Sequence, residues 1–124
     1  MIIIKHRINK CNQIKDTPLN YGVEIDLRSN FKSLYLQHDP YINGEKFSKW
    51  IKYFKHKLLV INVKEEGLED KAIKILNKNK IKKFFFHDQT FSSLLKNMNK
   101  TKVSIRYSEF EDIKKLKQIS KKIR

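Results

Sequence analysis

Seven residues, Gly22–Arg28 (GVEIDLR), constrain this chain more than any others. Val23, Ile25 and Leu27 alternate with Glu24, Asp26 and Arg28, the period of two that a strand imposes on its side chains. Such a strand turns one apolar face to a core and one charged face the other way. Two carboxylates on the second face need partners, because burying an unpaired charge is costly.

Five more segments read as strands: Ile2–Lys5, Leu34–Gln37, Leu58–Val63, Lys83–Phe86 and Lys102–Tyr107. Helical spacing of apolar residues is found in Glu45–His56, Leu68–Asn79, Phe91–Met98 and Ser108–Ile123. Ser108 and Glu111 give the last of these a capping-box pattern. Strands alternating with helices predict βαβ units and a parallel sheet. One link departs from this. Only Ser29–Ser33 separates the second strand from the third, and a helical crossover needs about a dozen residues. That link is expected to be a hairpin turning near Asn30-Phe31, returning His38 beside Val23 and Glu24.

The 124 residues amount to one domain, 1–124, with an apolar fraction of 40%. No apolar run approaches the ~18 residues of a membrane span. The opening Met1–Ile4 is shorter than the roughly 7–15 apolar residues of a signal-peptide core. Cys11 is the only cysteine. It permits no intrachain disulfide, predicts a cytoplasmic location and reads as a buried or idle thiol.

A net charge of +15 raises the question of a nucleic-acid or anionic partner. Of the 28 basic residues only Arg7, Arg28, Arg106 and Arg124 are arginine. Nucleic-acid readers lean on arginine for two-point contacts. The aromatics fall at core-type positions, Phe84-Phe85-Phe86 reading as a buried strand. A nucleic-acid partner is therefore disfavoured, and the lysines read as a solvated surface.

Polar residues gather at the strand ends: His6-Arg7, then Glu24, Asp26 and Arg28, then His38-Asp39, Asn62 and Lys64, His87-Asp88, and Arg106. In a β/α barrel that end carries the active site. His56, within a basic helical stretch, is expected at the surface. His87 carries no assignment, because its position alone does not separate a structural from a chemical role.

His6-Arg7, Gly22-Val23-Glu24-Ile25-Asp26 and His38-Asp39 resemble the signature of glycerophosphodiester phosphodiesterases and the related phosphatidylinositol-specific phospholipase C barrels. The block YGVEIDLRSNFKSLYLQHDP is its specific part. The likeness runs from Ile2 to about Ile113. It implies a partial, truncated TIM-type β/α barrel of about six mostly parallel strands, helices outside, lacking the C-terminal strands. It implies hydrolysis of a glycerol-type phosphodiester, with His6 and His38 as acid and base. Glu24, Asp26 and Asn62 would hold a divalent metal, Mg²⁺ or Ca²⁺, and Arg7, Lys64 and Arg106 would bind phosphate. Ile8 stands where the family has Gly, and Asn62 where it has a third metal-binding Glu. Two rival readings follow: a non-catalytic member binding a phosphorylated glycan or lipid headgroup, and a basic nucleic-acid binder. The exposed edge of the last strand is expected to be covered or to pair with a second copy.

Overall fold

The described residues of the chain, in a computed structural model, are 1–105 and 112–122. Strand β1 (Ile4–Lys5) leads to a short helix α1 (Cys11–Lys15). Then come β2 (Gly22–Ser29), β3 (Leu34–Leu36) and β4 (Glu45–Lys46). Helix α2 (Phe47–Trp50) runs into a 3₁₀ turn, Ile51–Tyr53. After it follow β5 (Leu58–Val63), α3 (Glu69–Lys78), β6 (Phe84–His87), α4 (Phe91–Asn97) and α5 (Ile113–Lys122). No helix among the described residues is long and apolar enough to cross a membrane.

The strands form one sheet in the order β4-β3-β2-β5-β6, with β1 also on β2. β1 pairs with Gly22 and Val23, and β3 with Leu27–Ser29. β5 occupies the other edge of β2 from Gly22 to Leu27, so β1 and β3 share one edge end to end. β1/β2, β2/β5 and β5/β6 are parallel, whereas β2/β3 and β3/β4 are antiparallel.

This open mixed sheet overturns the mostly parallel, truncated TIM-type barrel expected from sequence. The antiparallel part begins at the short Ser29–Ser33 link, as its length required, and continues past it. The link closes as a hairpin, with Asn30 Oδ1 accepting from Ser33 N–H at 3.0 Å and Phe31 in the left-handed region at φ 64°. β4 then adds a second antiparallel neighbour, so the sheet extends outward on that side instead of curling round to close.

Other boundaries also differ. Glu45–His56 is not one helix: Glu45-Lys46 pairs with β3, and the helical part ends at Tyr53. His56 therefore lies at a bend in the link that leads to β5. It is buried, with Nε2–H donating to the Thr17 carbonyl at 2.9 Å, where a surface position was expected. Of the predicted strand Lys102–Tyr107, Val103 makes a single parallel bridge to Phe86. Arg106, Tyr107, Ser108 and Glu111 lie outside the described residues.

Val23, Ile25 and Leu27 of β2 and Leu59, Ile61 and Val63 of β5 fill a core with Phe47, Trp50, Ile51, Ala72, Leu76 and Phe86. Phe47, Trp50 and Phe54 stack in series at 6.4 and 6.2 Å. Side-chain alternation then sends Glu24, Asp26, Val60, Asn62, Phe85 and His87 to the opposite face of the sheet. That face is where the candidate site lies.

Candidate functional site

The segment after β1 organises the site. Ile8 N–H donates to the Glu24 carbonyl at 2.9 Å, and the Ile8 side chain is buried. The residues flanking it, Arg7 and Asn9, reach the two carboxylates. Arg7 adopts φ 55°, a left-handed conformation costly for a side chain of this kind. It brings the Arg7 N–H to Glu24 Oε2 at 2.8 Å. Asn9 acts as a side-chain substitute for a neighbouring strand: its Nδ2 donates to Asp26 Oδ2 and its Oδ1 accepts from Asp26 N–H, both at 2.9 Å.

Glu24 and Asp26 are 4% and 1% exposed, so their charges depend on these contacts. The Lys64 ammonium stands 3.2 Å from Asp26 Oδ1. That oxygen accepts no well-directed hydrogen bond, so the contact is an ion pair held by charge rather than by geometry. His6 Nδ1 lies 3.7 Å from Glu24 Oε2, and its side chain is 78% exposed.

The β2–β3 hairpin delivers His38, as its length requires. Gln37 N–H donates to the Asp26 carbonyl at 3.1 Å. Arg28 donates to the Gln37 carbonyl at 3.0 Å and to the His38 carbonyl at 2.7 Å. Arg7 Nη2 lies 2.9 Å from His38 Nε2, and His38 Nδ1 lies 2.9 Å from Asp39 Oδ1. A guanidinium can only donate, so His38 Nε2 accepts and Nδ1–H donates to Asp39. Both ring nitrogens are thereby engaged. The bond from His38, together with the positive charges of Arg7 and Arg28, holds the Asp39 carboxyl below its ordinary value.

No family model, no curated protein and no solved structure matches this chain. His6, Arg7, Glu24 and His38 form one connected set of contacts, and Asp26 and Lys64 a second one, which Asn9, two residues after Arg7, places beside the first. Asn62 pairs in register with Asp26 on one side and His87 on the other. Arg106 lies outside the described residues.

The divalent cation implied by the resemblance does not fit this donor set. One Asp26 oxygen is bound by Asn9 and the other faces the ammonium of Lys64, a cation already in place. Glu24 spends Oε2 on the Arg7 N–H, and Asn62 offers a neutral oxygen. Among the described residues no group of three or more His, Cys, Asp or Glu side chains is placed to hold an ion.

Beside the carboxylates opens a pocket of about 250 Å³. Ile4, Val60 and Phe85 supply apolar walls, and His6, Glu24, Asn62 and His87 the polar groups. Asn62 Oδ1 is buried there without a hydrogen-bond partner. Sequence reasoning did not assign Asn9, Arg28 or His87 to the site. For Asn9 a signal existed, since Arg7-Ile8-Asn9 alternates polar, apolar, polar as a strand-like segment would.

Proposed function

We propose that this face of the sheet hydrolyses a small phosphodiester by histidine acid–base chemistry, with protein cations holding the phosphate. The observation that carries this reading is the Arg7–His38 contact at 2.9 Å beside the paired Glu24 and Asp26. A phosphate oxygen competes well for a guanidinium held only by a neutral imidazole. Arg7 would then clamp the anion, and Lys64 would add charge as the transition state develops. His6, largely exposed at the pocket mouth, would give a proton to the leaving oxygen. The lone Cys11, a free thiol, supports a reducing cytoplasm as the place of action. A second copy would add at the β4 end of the sheet, since Val103 already bridges Phe86 at the β6 end.

A non-catalytic phosphate binder is the second reading. Asn62, neutral at the position beside Asp26, and the Lys64 ion pair favour it. Turnover of bis(p-nitrophenyl) phosphate separates the two. The hydrolase reading expects release of p-nitrophenolate and a loss of about 10²–10³-fold for Arg7→Ala, the worth of one charge-stabilising donor. Because p-nitrophenolate leaves without a proton, His6→Ala should cost far less on this substrate than on a dialkyl diester. Phosphate binding that depends on Arg7, with no turnover on either substrate, would establish the binder instead.

A further inference from the structure

The reading above needs a general base, and His38, engaged at both ring nitrogens, is poorly placed to be one. The pocket holds another imidazole. His87 Nδ1 lies 2.7 Å from Ser104 Oγ, and Ser104 Oγ lies 3.4 Å from the Phe86 carbonyl. A carbonyl can only accept, so the Ser104 hydroxyl proton points to Phe86, and Ser104 Oγ receives Nδ1–H from His87. With the Ser104 proton so directed, His87 carries its own proton on Nδ1. This leaves the His87 Nε2 lone pair as the free end of a ring that lines the pocket. The opposite side of the same pocket is lined by His6, and His38 is not among its walls.

We infer that His87 is the general base of this site, with Ser104 as its positioning residue and His6 as the opposing acid; this rests on the phosphodiesterase reading. β1, β2, β5 and β6 are consecutive in the sheet, and His87 lies two residues further along it than the Glu24 level that His6 reaches, so the backbones that carry them stand roughly 16 Å apart, three strand spacings across and two residues along. Both imidazoles border the same pocket, so a phosphodiester seated in it would have one group on either side of phosphorus. That is the layout in-line displacement requires. His87 Nε2 takes a proton from water as the water oxygen forms its bond to phosphorus. The bond from phosphorus to the leaving oxygen breaks, and that oxygen keeps the electron pair and takes the proton of the His6 imidazolium. The products are a phosphomonoester and an alcohol. The His87 proton passes to solvent, and His6 is reprotonated from it. Asn62 Oδ1, buried without a partner and in register with His87, is an acceptor for the second proton of the attacking water.

The test is steady-state hydrolysis of bis(p-nitrophenyl) phosphate by the full chain across pH 5–9. His87→Ala should lower kcat by about 10²–10⁴-fold, the usual worth of one general base. It should also abolish the acid-side limb of the pH–rate profile, and added imidazole should restore part of the rate. His87→Asn keeps a donor for Ser104 and lacks Nε2, so it should show the same loss even if the alanine variant folds poorly. Ser104→Ala should shift that limb, and His38→Ala should act mainly on KM through Arg7. A His87→Asn enzyme within threefold of wild type, or an acid-side limb lost only in His38→Ala, overturns the assignment while the phosphodiesterase reading stands. A folded wild-type chain with no turnover removes both.

Discussion

Val23, Ile25 and Leu27 are fully buried on one face of β2, and their neighbours Glu24 and Asp26 are almost as deeply buried on the other. The first face is held by contact with aromatic and aliphatic side chains from α2, α3 and β5, an attraction that needs no particular angle. The second is held by a few directed contacts: one backbone N–H, one asparagine amide and one ammonium. Equal burial thus hides two kinds of stability. The apolar face tolerates rearrangement and stabilises the fold. The polar face depends on each partner being present, and it is there that unsatisfied chemistry accumulates.

The largest effect should come from the apolar face. Trp50 is 0% exposed between Phe47 and Phe54. Trp50→Ala should cost about 3–5 kcal/mol in urea unfolding, the range for a large aromatic removed from a core. A loss below about 1 kcal/mol would mean that this layer is not the main support of the sheet.

On the polar face the expectation is smaller and non-additive. Lys64→Met leaves the Asp26 carboxylate buried beside Asn9 alone. It should cost about 2–3 kcal/mol, below the full cost of breaking a buried pair because the Lys64 side chain is 19% exposed. Adding Asp26→Leu removes the stranded charge and should recover much of that loss, giving a coupling energy on the order of 1–2 kcal/mol. If the two losses simply add, the ion pair is not what holds this face.

The loop that returns from His38 to β4 supplies a third, milder test. A Cβ on Gly44 would stand 1.9 Å from the Leu36 carbonyl oxygen. Gly44→Ala must therefore displace backbone, and should cost about 1–3 kcal/mol by the usual penalty of overpacking. It should also disturb the Arg7–His38 contact, read as a weaker affinity for inorganic phosphate. Unchanged affinity would show that the His38 loop is independent of β4.

Much of this comparison was legible in the sequence. The alternation of GVEIDLR separates the two faces residue by residue, and the short Ser29–Ser33 link rules out a crossover. What was not legible is where the sheet ends. Periodicity describes each strand and says little about which edge the next one takes, so a barrel was expected and an open mixed sheet formed. Glu45–His56 misled for a related reason: Phe47, Trp50, Ile51 and Phe54 share helical spacing, yet the same residues fit a short helix, a 3₁₀ turn and extended chain facing one core. In the site, the carboxylates and His38 were visible because their spacing is local. Asn9 and Ser104 were not, since each acts across 17 residues of chain on a partner that only the fold brings near.

The smallest effect tests the border between the two faces, where Cys11 meets Glu45. Cys11 is buried in the core cluster, and its N–H donates to Glu45 Oε2 at 3.0 Å. Burial first, then the thiol's hydrogen bond to Glu45 and the charge of that carboxylate, push the Cys11 thiol up from 9.0 to about 11. The same bond holds Glu45 below its ordinary value. A folded-state value above the unfolded one favours the protonated thiol in the folded chain. The resulting stabilisation is fully present below about pH 9 and is lost as pH rises toward and through 11. Native protein should therefore be alkylated by iodoacetamide with a rate that climbs to a midpoint near pH 11. Glu45→Gln keeps an acceptor and removes the charge, so it should move that midpoint down by less than about one unit, with burial still acting. A native midpoint at the ordinary thiol value would mean that Cys11 faces water, and that the apolar face ends before α1.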